Sequence, residues 1–150
     1  MSRGEVSTTG AAEVLRRLRR FLLVLALFLF GGAVVELWLV GHTQDWIQLI
    51  AFALAGTGAL AVLLVVFRQS SATVRILRVC MVVVVLGSLF GMYEHLNGNI
   101  AFAREIQPNL ATAQLFWRGL QGGNPLLAPG LLAVAALLAI SATYRYDVTT

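Results

Sequence analysis

FLLVLALFLFGGAVVELWLV, residues 21–40, decides the fold. At 1.5 Å per residue a helix over these twenty residues is about 30 Å long, the thickness of a bilayer's hydrocarbon. Glu36 is the one ionisable side chain in the run, and Arg16, Arg17, Arg19 and Arg20 stand directly before it. Such a basic block beside an apolar span is attracted to anionic lipid headgroups. The charged start fits a signal peptide, but the apolar run continues past signal length and no A-x-A site closes it. It reads as an uncleaved spanning helix.

Three further runs follow. IQLIAFALAGTGALAVLLVVF covers residues 47–67. VCMVVVVLGSLFGMY, residues 79–93, is shorter and reaches full length, about 77–96, if Arg78 snorkels at one end and the helix continues past Tyr93. LLAPGLLAVAALLAISATY covers 126–144, with Asn124 placed to cap it and Pro125 at its first position. The fold class predicted is all-α: an integral membrane four-helix bundle, residues 21–150, behind a basic tail of residues 1–20.

The whole chain agrees. Of 150 residues, 59% are hydrophobic and 12% charged, about half the charged fraction of a soluble domain. One cysteine, Cys80, excludes an internal disulfide and a C-x-x-C pair. The net charge of +4 sits at span ends, which argues against nucleic acid. All eleven basic residues are arginines, a composition that suggests a GC-rich bacterial genome and hence the inner membrane. Arg3, the 16–20 block, Arg68, Arg75, Arg78 and Arg145 fall on one side, Arg104 and Arg118 on the other. The positive-inside rule then puts both termini in the cytoplasm. Trp38, Trp46, Tyr93 and Trp117 would form an outer aromatic belt, Tyr144 and Tyr146 an inner one.

Membrane helices approach through small residues. The predicted seams are Gly32 and Ala33; Ala51, Ala55 and Ala59; Gly87 and Gly91; and Ala128, Ala135, Ala139 and Ala142. Glu36, Gln48, Glu94 and His95 lie at helical spacing from those seams, all in the outer half. With Asn99 they are expected to form a polar pocket. Glu36 lies four residues, about 6 Å, inside its span's end, where a carboxylate costs a few kcal/mol unless paired, hydrated or protonated.

The third and fourth spans are joined by a long outer connection. Asn97-Gly98-Asn99 reads as a turn or an irregular end to the third helix, IAFAREI as a short amphipathic piece ending at Gln107-Pro108, and LATAQLFWRGL (residues 110–120) as an interfacial helix or a lid on the bundle. Leu110, Ala113, Phe116, Trp117 and Leu120 share its apolar face, with Gln114 and Arg118 opposite. Arg104 and Glu105 are expected as solvated charges, or with Glu105 in exchange with Arg118. The string His95, Gly98, Asn99, Glu105, Pro108, followed by residues 127–130, resembles a group of small bacterial four-span proteins. That resemblance implies membrane placement and adds no chemistry.

Three functions fit the sequence. The first is a non-enzymatic accessory or binding subunit, as a homodimer or in a larger membrane complex. The second is a metal or haem protein using Glu36, His42, Glu94, His95 and Glu105, a carboxylate–imidazole set suited to transition metals. Against it, Glu94 and His95 are adjacent and diverge by about 100° on a helix. The third is a small proton-coupled transporter with Glu36 as coupling residue. Catalysis in solution has no motif here: there is no phosphate loop and no nucleophile elbow.

Overall fold

The computed structural model describes residues 3–144, with side chains from Gly10 onward. Tyr146 and Arg145 lie outside these residues. Among them the chain is all-helical, with five helices and no strand. They are α1 (Arg3–Leu39), α2 (Trp46–Phe67), α3 (Ser71–Ile106), α4 (Thr112–Leu120) and α5 (Leu127–Ala142). Three of them, α1 from Gly10 onward, α2 and α3, are long and apolar enough to cross a membrane. The fourth apolar helix, α5, has 16 residues.

The four apolar helices pack side by side in the cyclic order α1, α2, α3, α5. Helices α1 and α3 stand at opposite corners, while α2 and α5 meet lightly across the middle. Each helix buries one stripe of side chains. On α1 it is Leu23, Ala26, Phe30 and Ala33; on α2, Ala55, Gly58, Val62 and Val65; on α3, Val74, Leu77, Met81, Val84 and Ser88. On α5 it is Leu132, Ala135, Ala136, Ala139 and Ala142. The alanines give α5 a thin inner face, so its neighbours come close without steric cost. Glycine does the same for the Phe30 ring: a Cβ at Gly58 would stand 2.6 Å from it.

Helix ends follow local chemistry. Gly41, at φ 66°, closes α1. Its N–H donates to the Trp38 carbonyl and that of His42 to the Leu37 carbonyl, at 3.1 and 3.0 Å, a Schellman ending. Ser70 caps α3, accepting from the Thr73 N–H at 3.2 Å.

The segment before residue 21 is helical from Arg3 and continuous with the first span. Three local expectations are corrected. Asn97-Gly98-Asn99 is neither a turn nor a helix end: α3 runs through it to Ile106, because Leu96, Asn99 and Ile100 pack against α4 and its following loop. Helix α5 starts at Leu127 with no side-chain cap, so Asn124 and Pro125 precede it; Asn99 ties the Asn124 backbone into the loop instead. Helix α4 seats Leu115 and Gly119 on α3 and leaves Phe116, Trp117 and Leu120 exposed, so its apolar face is not turned onto the bundle as a lid's would be.

Candidate functional site

Of the residues expected to form a pocket, Asn99 and His95 converge on one loop. The Asn99 side chain is buried, 4% exposed, near the C-terminal end of α3. The amide nitrogen donates to the carbonyls of Gly119 and Asn124, both at 2.9 Å. The amide oxygen accepts from the Asn124 N–H, also at 2.9 Å. One asparagine thus satisfies three backbone groups at the end of α4 and in the loop leading to α5. Glycine makes room for it: a Cβ on Gly122 would collide with the Asn99 side chain.

One turn earlier, His95 reaches the same loop. Its Nδ1 lies 2.9 Å from the Pro125 carbonyl oxygen. A carbonyl only accepts, so Nδ1 carries the proton and Nε2 is left as an acceptor. His42, held at the α1 ending, lies near this imidazole. Partial burial and then the proximity of His95 hold its pKa below the ordinary 6.5.

The other expected members sit apart. Gln48 is the third residue of α2, and its Oε1 accepts the Gln44 N–H at 2.8 Å and the Asp45 N–H at 3.4 Å. Its amide oxygen is thereby spent on starting its own helix. Glu36 is exposed and makes no hydrogen bond or ion pair to a described residue. The buried stripe of α1 explains why. It continues from Ala33 to Leu37, and Glu36 lies about 100° off its centre. Of the two seam residues that point Glu36 inward, Ala33 is buried, but a Cβ at Gly32 would meet nothing within 4 Å. Glu94 is partly buried and Glu105 exposed, neither with a polar partner among the described residues. The exchange of Glu105 with Arg118 is not formed. Among the described residues, no three of His, Cys, Asp and Glu gather in a geometry that could hold a metal ion.

A second polar cluster, which the sequence reading missed, closes the opposite end. Arg78 of α3 donates through Nε to the Thr143 hydroxyl at 3.2 Å and through Nη2 to the Thr143 carbonyl. Arg19 of α1 donates to the Tyr144 carbonyl at 2.9 Å. These carbonyls belong to the end of α5, where a helix leaves acceptors unsatisfied and presents the negative end of its dipole. Arg78 had been read as a snorkelling span end, and nothing in its sequence neighbourhood names Thr143. Nearby, Glu13 pairs with Arg16 and Arg17, the latter at 2.7 Å.

The chain matches no protein-family model, no curated protein and no solved structure. The comparisons give no support to the likeness read from the His95–Pro108 string. The geometry gives the motif a physical content: His95 and Asn99 hold the loop that launches α5.

Proposed function

We propose that the chain is an integral membrane protein of four spans that serves as a non-enzymatic accessory or binding subunit. The observation that carries this reading is where the polar side chains of the outer half direct their hydrogen bonds. His95, Asn99 and Gln48 all bond the protein's own backbone. Groups spent in this way fix loops, and no convergent acid, base and nucleophile is found among the described residues.

Membrane placement is supported by the three long apolar helices and by exposed side chains a bilayer would cover. Phe28, Leu60, Leu86 and Val134 are at least half exposed around the middle of the packed helices. Trp38, Trp46, Tyr93 and Trp117 are exposed near one end and Tyr144 at the other, as interfacial belts require. The α4 aromatics then lie in the outer interface. At 16 residues α5 is about 24 Å long, some 6 Å short of the hydrocarbon. Residues 125–126 and 143–144 add apolar length, and local thinning accommodates the rest. Arginine placement supports cytoplasmic termini, and the all-arginine composition supports a bacterial inner membrane. There Arg16, Arg17, Arg19 and Arg20 meet anionic headgroups, with Glu13 offsetting part of that charge.

Cysteine accessibility tests the topology. Cysteines placed at Gln69 and Gln121, in a Cys80→Ala background, should label from the cytoplasmic and outer sides respectively. Labelling of both from one side refutes the four-span arrangement. The binding-subunit reading is tested by elemental analysis and an absorption spectrum of purified protein. Stoichiometric transition metal or a Soret band would replace it with a metal or haem role at the His42–His95 pair.

A further inference from the structure

The face of α1 turned away from the bundle carries a second apolar stripe that the described residues leave largely uncovered. Its members are Ala11, Val14, Leu18, Phe21, Leu25, Phe28, Gly32, Val35 and Leu39. The steps alternate between three and four residues, so Ala11, Leu18, Leu25, Gly32 and Leu39 occupy one heptad position and Val14, Phe21, Phe28 and Val35 the other. Leu25 is half-buried and the other eight are exposed. The core-facing residues Leu23, Ala26, Phe30 and Ala33 lie on the opposite side of the helix.

Within the hydrocarbon an exposed apolar stripe needs no explanation beyond lipid. Two features of this one are not explained by lipid. At its inner end it continues beyond the apolar run: Val14 and Leu18, 66% and 50% exposed, stand among the arginines, where water would meet them. At its outer end it is flanked by the Glu36 carboxylate, unpaired in an apolar surrounding, and by Gly31 and Gly32, which have open space where a side chain would be. Lipid leaves both ends costly. A helix of the same pattern relieves both.

We propose that α1 pairs with α1 of a second copy of this chain, in parallel, along this seam. The proposal rests on the membrane reading above and names the partner in it. Two copies inserted with one topology can bring α1 to α1 only in parallel, and an apolar 3–4 repeat sustained over four heptads is the pattern of a parallel helix pair. The charges agree with it. Arg16, Arg19 and Arg20 fall outside the seam and its flanks. Arg17 alone flanks it, and Arg17 is paired with Glu13. In a parallel pair the flanking position of Glu36 faces the flanking position of the preceding heptad on the other helix. That position is Gly31, so no side chain of the second copy separates Glu36 from that helix's backbone. Gly32 in the seam lets the two helices approach closely at the same level.

The test is a single-cysteine scan of the full chain in membranes, in a Cys80→Ala background. Under mild oxidation, Val14→Cys and Leu18→Cys should form disulfide-linked homodimers. Ala12→Cys and Arg16→Cys, off the seam, should not. Gly32→Leu should weaken self-association about tenfold or more without unfolding the protein, because the new side chain enters open space. Glu36→Gln keeps a polar side chain that can bond the second copy's backbone and should preserve the pair, and Glu36→Leu should weaken it. Resistance to alkaline carbonate extraction is scored in the same samples. Carbonate-resistant protein that gives no crosslink, or equal crosslinking at all four positions, overturns the pairing alone. Protein released by carbonate overturns the membrane reading. A seam-specific adduct to a different protein, with no homodimer, overturns the second copy as occupant.

Discussion

Replacing Asn99 by alanine removes three hydrogen bonds at once, and the structure sets what that costs. The Gly119 and Asn124 carbonyls and the Asn124 N–H each lose a 2.9 Å partner. A typical intramolecular hydrogen bond contributes about 1 kcal/mol net, and a buried group left unpaired costs about 1–3 kcal/mol. The Gly119 carbonyl meets Asn99 in a buried contact, and the two Asn124 groups are partly buried. The sum is then about 3 kcal/mol, with water replacing part of the Asn124 contacts. Asn99→Asp separates geometry from shape: the carboxylate still accepts the Asn124 N–H, but it faces two carbonyl oxygens it cannot donate to. It should be at least as damaging as alanine. Hydrogen exchange of protein in detergent or nanodiscs is the assay. Amides of residues 112–126 should lose protection selectively while those of α1 and α2 keep theirs. Thermal unfolding should fall in both variants. If Asn99→Ala changes stability by less than about 0.5 kcal/mol, the range of an ordinary surface substitution, and leaves loop protection intact, the clamp is not what holds α4 and the loop.

Three further outcomes are expected. Ser88 is 1% exposed and its hydroxyl has no hydrogen-bond partner, so Ser88→Ala should leave stability unchanged or raise it by about 1 kcal/mol in a melting curve. Gly58→Ala drives a methyl into the buried Phe30 ring and should destabilise by about 1–3 kcal/mol, with Phe30→Leu in the same chain restoring part of the loss. His42 has a folded-state pKa below its ordinary 6.5, so the unfolded chain binds more protons between those two values, and stability rises with pH there. Melting temperature should therefore fall as pH drops through the ordinary histidine value. His42→Gln should flatten that slope, and an unchanged slope would remove His42 as its source.

The helices were legible because hydrophobic run length is set by local composition. The small-residue seams were legible in part. Ala55, Ala135, Ala139 and Ala142 are buried as spacing predicted, whereas Gly32 faces outward and Ala128 is exposed. Spacing relates residues within one helix but does not say which of two apolar faces turns inward. Helix α1 has two such faces, and the choice between them decided the position of Glu36. The same ambiguity inverted α4, where burial of Leu115 and Gly119 needs knowledge of Ile100 and Leu96 on α3. Asn97-Gly98-Asn99 carries a strong turn signal, and tertiary contacts overrode it. Long-range partners such as Asn99 with Asn124, or Arg78 with Thr143, lie 25 and 65 residues apart, and no local pattern encodes either.

Those two long-range clamps answer why polar residues stand beside the most apolar segments. Helix α5 is short and begins at Leu127, with no side-chain cap at Leu126. Its termini would otherwise offer unpaired backbone groups near the hydrocarbon, where each costs several kcal/mol. Helix α3 supplies partners at both ends: His95 and Asn99 for the loop that enters α5, and Arg78 for the carbonyl that leaves it. Arg78 and His95 are seventeen residues apart, about 26 Å along α3. The sixteen residues of α5 span about 24 Å, so one helix measures the other. The match requires α3 to be helical without interruption from one clamp to the other, as it is. Continuation of α3 through the Asn97-Gly98-Asn99 turn signal then brings Asn99 into reach of the same loop. His95 and Asn99, two of the side chains that looked like a site in sequence, are thus the fittings that fasten the entry to this short helix, as Arg78 fastens its exit.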